Sequence, residues 1–459
     1  DLFGESSSLR LLDAHARKRE VTIATRRVLR AAVAADSFTA VVFDDVETFD
    51  RSSQEFLRQL AGEPVDAPLR VLLAMDPEHA RSWPDALVTV DLQLVGRTEL
   101  APLAEHLSRA RVALPDVATI AAATRGLPSH IEHLVRFIVE EGEIDNAPTG
   151  LPDLVEARVV RLPREARLIL QAASVAGNEV GRDQLARMLH PTLGSSDFER
   201  GLDVLTARGL LAVHDAVVLF RHVLVRDVVY DAMPAHIRKK LHVGLAEPLA
   251  QAGTAGHALA NHLDRAGHTP EALAALLRAG DESARCFDDV GAAQMYQRAV
   301  ACARTLLFRE EEGEALNDFL RASIKLADAS RASGEVAVAR GVIEEALTWC
   351  DNRQQEFRAK LRQCQAHVAA ATGDPDEAVR HLREAIGVAI PVGDPDFLVD
   401  LYLDIAAMFL RTGATKAAVA EVEEGINLVT FGEGSDAQSG PASLWRLVVR
   451  LAELYRALD

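Results

Sequence analysis

Lysine is scarce in this 459-residue chain. There are six, Lys18, Lys239, Lys240, Lys325, Lys360 and Lys416, against 44 arginines. None follows a glycine, so a phosphate-cradling GxxxxGK[ST] loop, whose backbone amides and lysine hold nucleotide phosphates, is excluded from these residues. Cysteine is equally sparse. Cys286, Cys302, Cys350 and Cys364 lie in helical-looking segments without CxxC spacing, which predicts buried thiols in a reducing compartment, the cytoplasm. No uncharged apolar run approaches the roughly 20 residues of a membrane-spanning helix, and the polar start "DLFGESSSLR" has no signal-peptide pattern. Basic charge is also short: 50 Lys and Arg against 68 Asp and Glu leave a formal charge of −18. That balance argues against generic binding to nucleic acid or acidic membranes. Arginine in place of lysine, with much Ala, Val, Leu and Asp, suggests a GC-rich bacterial genome. The chain starts at Asp, not Met, and is expected to be a fragment or processed piece.

What is present reads as about three domains on length alone. Residues 9–35 read as a helix, 39–44 as a strand and 52–62 as a helix with Ser52 and Ser53 as N-caps. "LRVLLAM" (69–75) reads as a buried strand and "LVTVDLQL" (87–94) as another with partial alternation. Apolar runs between helices imply parallel strands covered on both faces, here part of an α/β domain. From 98 to 144 the pattern is helical, and the turn cluster "EIDNAPTGLP" (143–152) marks a boundary. Helices at 164–176, 182–190 and 197–208 then precede two short apolar runs, 210–213 and 217–220. Three helices followed by a small hairpin is the winged-helix order, completed by helices at 223–232 and from 236.

Beyond 253 one frame of small residues recurs with spacing 7, 5, 7. It runs Ala260, Gly267, Ala272, Ala279, then Ala327, Gly334, Ala339, Ala346. It returns as Ala366, Gly373, Ala378, Ala385 and as Ala406, Gly413, Ala418, Gly425. Small residues let paired helices approach, and the glycine suits the turn between them. A weaker match, Gly280, Ala292, Tyr296 and Ala299, abuts the first frame too tightly for two complete units. "SLWRLVVRLAELYRAL" (443–458) reads as the first helix of a further unit. The segment predicts a tetratricopeptide-like α-solenoid with a face for a protein partner or ligand.

The chemistry concentrates at "AVVFDDVETFD" (40–50). Adjacent carboxylates, Asp44 and Asp45, at the end of an apolar strand can hold hydrated magnesium and orient a water. With Asp50 and Ser53 the string resembles the Walker B strand of the STAND class of signal-transducing P-loop ATPases. The similarity is to the bacterial branch whose cores sit beside kinase, cyclase or LuxR-type output domains. Val46, Thr48 and Phe49 stand where that pattern has Leu, Trp and Ala. Three further stretches resemble the class in the right order. "RGLPSHIEHL" matches its GxP motif through Gly126, Leu127 and Pro128. "EARVVRLPREARLILQAASVAG" matches the start of its winged helix. "FRHVLVRDVVYDAMPAHIRKKLH" matches the end, with His222 after Arg221.

The resemblance implies a mostly α chain with four parts. They are the C-terminal part of an α/β nucleotide-binding domain (1–97), a helical lid (98–150), a winged helix (151–250) and tetratricopeptide-like repeats (251–459). It implies Asp44 as the magnesium-associated acid, Asp45 as the water-activating one, Pro128 against adenine, and Gly126 and His222 at the nucleotide. ATP, ADP and Mg2+ would be cofactors of the full-length protein, which is implied to be a nucleotide-dependent switch and possible oligomer. The phosphate loop would lie upstream. Where relatives place an arginine that senses phosphate, this chain has Met75, Asp76 and Pro77, and an acid there would repel a γ-phosphate. Little or no hydrolysis is therefore expected from this chain. The competing reading is a pure interaction scaffold with a degenerate core.

Other groups point less far. His130 with His133 and His257 with His262 lack a partner at zinc spacing. Arg158, Arg161, Arg164, Arg167 and the "RKK" at 238–240 suit solvated faces or interdomain ion pairs better than DNA contacts in so acidic a chain.

Overall fold

The computed structural model describes residues 14–35, 40–49, 51–62, 70–83, 88, 90–108, 114–141, 148, 150–190, 192–251, 256–267, 269–286, 288–309, 314–431 and 444–458. They form two compact units, Asp1–Pro248 and Leu249–Asp459. Among them no helix is long and apolar enough to cross a membrane.

The first unit opens with α1 (Ala14–Ala34), β1 (Ala40–Phe43), α2 (Arg51–Gly62), β2 (Arg70–Leu73) and the short α3 (Pro77–Ala80). β1 and β2 pair in parallel with Val41 opposite Val71 and Phe43 opposite Leu73. Phe43 of β1 and Leu73 of β2 pack against a small core of Val46, Leu57, Leu60 and Trp83. Three expectations fail here. Residues 88 and 90–94 belong to no strand, and Val88, Val90, Leu92 and Leu94 are 58–94% exposed. Period-two alternation specifies a strand only where a neighbour supplies the ladder, and among the described residues this sheet has two strands. Nor are both faces covered, since Val42 and Leu72 are exposed. Finally, α2 begins at Arg51, so Ser52 and Ser53 are helical positions of its first turn.

Helices α4 (Arg97–Ser108), α5 (Val117–Thr124), α6 (Pro128–Glu141) and α7 (Leu151–Val160) follow. Asp116 caps α5 by accepting from the Thr119 amide. Leu100, Ile120, Ile131, Leu134, Phe137 and Leu154 share one core, while Val155, next along α7, belongs to the following core. One helix thus faces two cores.

Next come α8 (Arg164–Ala176), β3 (Glu179–Gly181), α9 (Arg182–Leu189), α10 (Ser195–Ala207), β4 (Leu211–His214), β5 (Val217–Phe220), α11 (Val223–Asp231) and α12 (Ala235–Gln251). The expected three helices and hairpin are there. The three-residue β3 adds an antiparallel strand that the sequence reading missed, giving the order β3-β5-β4.

The second unit is helical throughout its described residues. It contains α13 (His257–Ala266), α14 (Pro270–Arg285), α15 (Asp289–Leu307), α16 (Glu314–Ser333), α17 (Val336–Thr348), α18 (Gln355–Ala371), α19 (Pro375–Ala389), α20 (Pro395–Arg411), α21 (Thr415–Phe431) and α22 (Leu444–Leu458). Each four-residue frame falls on a helix pair: α13/α14, α16/α17, α18/α19 and α20/α21. The frame alanines are buried to 1% or less, and Gly334, Gly373 and Gly413 take φ values of +90°, +87° and +76° in the turns. Gly425 replaces the last alanine for a reason. A Cβ there would lie 2.7 Å from Tyr402 Cγ, so α20 lays its tyrosine on bare backbone. The weaker match resolves differently. Gly280 is not a turn residue but lies within α14 under Tyr296, and α15 is one added helix between the first two pairs. Three cysteines are buried as expected, whereas Cys286 is exposed. Burial pushes the Cys302 and Cys350 thiols up to about 11, which suppresses the reactive thiolate.

Candidate functional site

Asp44 and Asp45 lie at the C-terminal end of β1, and both are exposed. In parallel sheets this is the edge where ligands bind. The ladder continues past the strands: Ala74 donates to the Phe43 carbonyl at 2.8 Å and Val46 to the Ala74 carbonyl at 3.1 Å. Asp45 takes the left-handed conformation, φ 51° and ψ 45°, which aspartate tolerates, and its amide donates to Asp44 Oδ1 at 3.1 Å. Val46 then turns in and is fully buried. The motif therefore owes its apolar residue to the core and leaves its acids outside. Gln54 was not foreseen. Its amide donates to the carbonyls of Val46, Glu47 and Phe49 at 3.0–3.2 Å, while its oxygen accepts from Arg58. One side chain thus holds the turn that carries the acids. Asp50 lies outside the described residues. Asp76 precedes α3, with Pro77 at its first position, and makes no side-chain cap.

The GLP stretch forms the joint between α5 and α6. Arg125 ends α5 in the left-handed region, and Gly126 follows at φ +78°. Val95 donates to the Gly126 carbonyl at 2.9 Å, and a Cβ on Gly126 would meet the Val95 carbonyl oxygen at 2.7 Å. Pro128 takes the first position of α6, where its missing N–H costs nothing. Leu127 and Pro128 are exposed.

His222 comes to this helix from the other side. It precedes α11, and its Nε2 lies 3.1 Å from Glu132 Oε2. Glu132 is four residues beyond Pro128, on the same face of α6. His222 therefore meets α6 at a residue one helical turn beyond Pro128. Arg136 Nε donates to Glu132 Oε1 at 2.9 Å, and Arg221 Nη1 stands 3.7 Å from the same oxygen. The hydrogen bond from His222 holds the Glu132 carboxyl down at about 2, with Arg136 assisting and burial opposing. The bonds described for Asp44 keep to its own strand end.

Behind His222 lies a buried layer that the sequence reading did not assemble. His133 packs edge-on against it with ring centroids 5.4 Å apart. Arg158 is wholly buried: it donates to Glu140 at 2.8 and 3.2 Å, to the Arg208 carbonyl at 2.7 Å and to His133 Nδ1 at 2.7 Å. Guanidinium is always a donor, so His133 carries its proton on Nε2, a buried N–H with no partner among the described residues. Burial first, and then Arg158, push His133 down to about 3. Arg158 was expected on a solvated face or in an interdomain ion pair; its guanidinium is instead buried in a pair with Glu140 inside the first unit. His257 bonds Ser283. Among the described residues no three metal-ligating side chains cluster.

These shifts predict acid sensitivity. His133 stays neutral in the fold, so it contributes stability that is full above its ordinary 6.5 and drains as pH falls towards about 3. Glu132 adds a second loss between its ordinary 4.5 and about 2. The melting temperature is expected to drop from pH 7 to pH 4, and His133→Phe to flatten the upper part of that drop. A melting profile that stays level between pH 7 and 4 would contradict both.

No family model matches the chain. An uncharacterized protein of Rhizobium meliloti (strain 1021) is 28% identical over 303 residues, 60% of this chain and 29% of that protein. The chain thus spans under a third of the curated relative it matches. Among solved structures, a STAND protein with a tetratricopeptide repeat sensor from Pyrococcus horikoshii aligns at TM-score 0.44 and 13% identity, covering 96% of this chain and 68% of its own. A solved tetratricopeptide repeat domain aligns at TM-score 0.23 and 13% identity over 79% of this chain and 99% of its own. Likeness this distant carries no argument, and the repeat architecture rests on the helix pairs themselves.

Proposed function

We propose that the chain is part of a nucleotide-dependent signalling switch of STAND type. Its helical repeats would take a protein partner or ligand. The supporting observation is His222 on Glu132, one turn from the Pro128 that starts α6. In this reading the first unit supplies part of a nucleotide site, with α4–α6 as lid and residues 151–250 as winged helix. ADP lies with adenine on Pro128 and phosphates towards His222, stabilising one state. A signal on the repeats favours the other, and nucleotide drives the change only through its differential affinity for the two. Asp44 would hold Mg2+ and Asp45 would activate water in the full-length protein, a cytoplasmic bacterial regulator and possible oligomer.

The full-length protein is expected to bind ADP, and His222→Ala to speed ADP release by at least tenfold. The 459-residue chain by itself is expected to hydrolyse no ATP; a rate abolished by Asp45→Asn would overturn that. The scaffold reading gains from Asp76. It predicts that the full-length protein binds its partner with the same affinity with and without ADP.

A further inference from the structure

Three donors converge on one carboxylate at the start of α11. Arg136 and Arg221 address Glu132 Oε1, and His222 addresses Oε2. The donors are held by more than that carboxylate. Gly209, at φ +68°, is so close under Arg136 that a Cβ would sit 2.6 Å from the guanidinium carbon. His222 is wedged by the His133 ring. Arg221 is half exposed while Glu132 is only 16% exposed, so the cluster opens to solvent on the Arg221 side. Two guanidiniums and an imidazole gathered on one oxyanion are also the donors a phosphate takes, in the same lone-pair directions.

We propose that Arg136, Arg221 and His222 form a phosphate-binding site in which Glu132 is the resident competitor. A phosphate group takes these donors by displacing the Glu132 carboxylate. The inference rests on the reading above, in which nucleotide phosphates approach His222. It adds a consequence for switching: ligand entry breaks the hydrogen bond that ties α6 to the start of α11. It also explains why an acid stands beside a site for anions, since two oxyanions cannot share the donors without repulsion. Binding is thereby made weak until a ligand with several phosphates, or one anchored elsewhere, arrives.

The test is titration of the folded 459-residue chain with pyrophosphate and with ADP, read by calorimetry. Glu132→Gln keeps the shape and removes the competing charge, and is expected to bind both probes at least tenfold tighter than the wild type. The gain should vanish in Glu132→Gln/His222→Ala. Equal or weaker binding by Glu132→Gln, or no binding by either form, overturns the proposal. Should Glu132→Gln fail to fold, Glu132→Asp withdraws the carboxylate from His222, and a severalfold gain is required of it. A His222-dependent gain with ADP no tighter than pyrophosphate supports the phosphate site while removing the adenine contact of Pro128. ADP held through His222 with no gain in Glu132→Gln leaves the nucleotide reading and overturns the competitor.

Discussion

Arg158→Met is expected to cost about 3–5 kcal/mol of stability, the usual cost of breaking a buried ion pair from one side. That would lower the melting temperature of the first unit by roughly 10 °C, at roughly 2–4 °C per kcal/mol for a domain of this size. The guanidinium is 0% exposed, and its removal strands three acceptors at once. Among the described residues Glu140 would then keep Arg208 alone, at 3.8 Å. The Arg208 carbonyl and His133 Nδ1 would each lose the Arg158 donor. Methionine fills much of the stem volume, so the loss is electrostatic and not a cavity. Adding Glu140→Leu should then recover part of it, because the double variant buries no unpaired charge. A two-by-two cycle of Arg158→Met and Glu140→Leu, read by urea unfolding, gives the coupling. A loss under 1 kcal/mol for Arg158→Met, or simple additivity, would show that the layer carries little.

That layer matters beyond stability. Arg158 sits on α7 and binds α6 through Glu140 and His133, and the end of α10 through Arg208. His133 backs His222, and His222 meets Glu132. Two adjacent polar layers, one around a buried guanidinium and one open on the Arg221 side, therefore join α6 and α7 to the residues around His222. The first backs His222 through the His133 ring, and the second gives it the Glu132 partner that the proposal exchanges. A switch needs both a rigid reference and a contact weak enough to break.

The sequence reading located most helices because their signals are local. The Ala-Gly-Ala-Ala frame showed the pairing in the second unit, since close helix approach admits few residue types. Gly280 misled because Gly within a helix and Gly in a turn look alike in sequence, and only Tyr296 separates them. The strand expected at 87–94 failed because alternation is local while pairing is not. At the site, Gly126, Pro128 and His222 were visible as motif positions. Glu132 was not, although it stands within "GLPSHIEHL" four residues after Pro128, a spacing that shares a helix face. Gln54 gave no signal, and Arg158 stood out only as one of four arginines suited to solvated faces or interdomain ion pairs: nothing in a residue's own neighbourhood says that it will meet three carbonyls, or Glu140 eighteen positions away.

Gly126→Ala is the second large effect expected. Two costs add at this position. A left-handed residue with a Cβ costs about 1–2 kcal/mol. Forcing a methyl against backbone adds the cost of overpacking, about 1–3 kcal/mol, because the Val95 carbonyl cannot rotate away as a side chain could. The same carbonyl belongs to the residue whose amide bonds Gly126, so relief of the clash breaks the link between residues 94–96 and the α5–α6 joint. The two readings of the GLP stretch then part. If Gly126 serves only the fold, Gly126→Ala loses stability and nothing else. If it aims Pro128 at a nucleotide, the full-length variant should also lose at least tenfold in ADP affinity at a temperature where circular dichroism shows it folded. Hydrogen exchange at the Val95 amide supplies the structural check. Fast exchange there with unchanged ADP affinity would detach the glycine from nucleotide binding and leave it a turn residue.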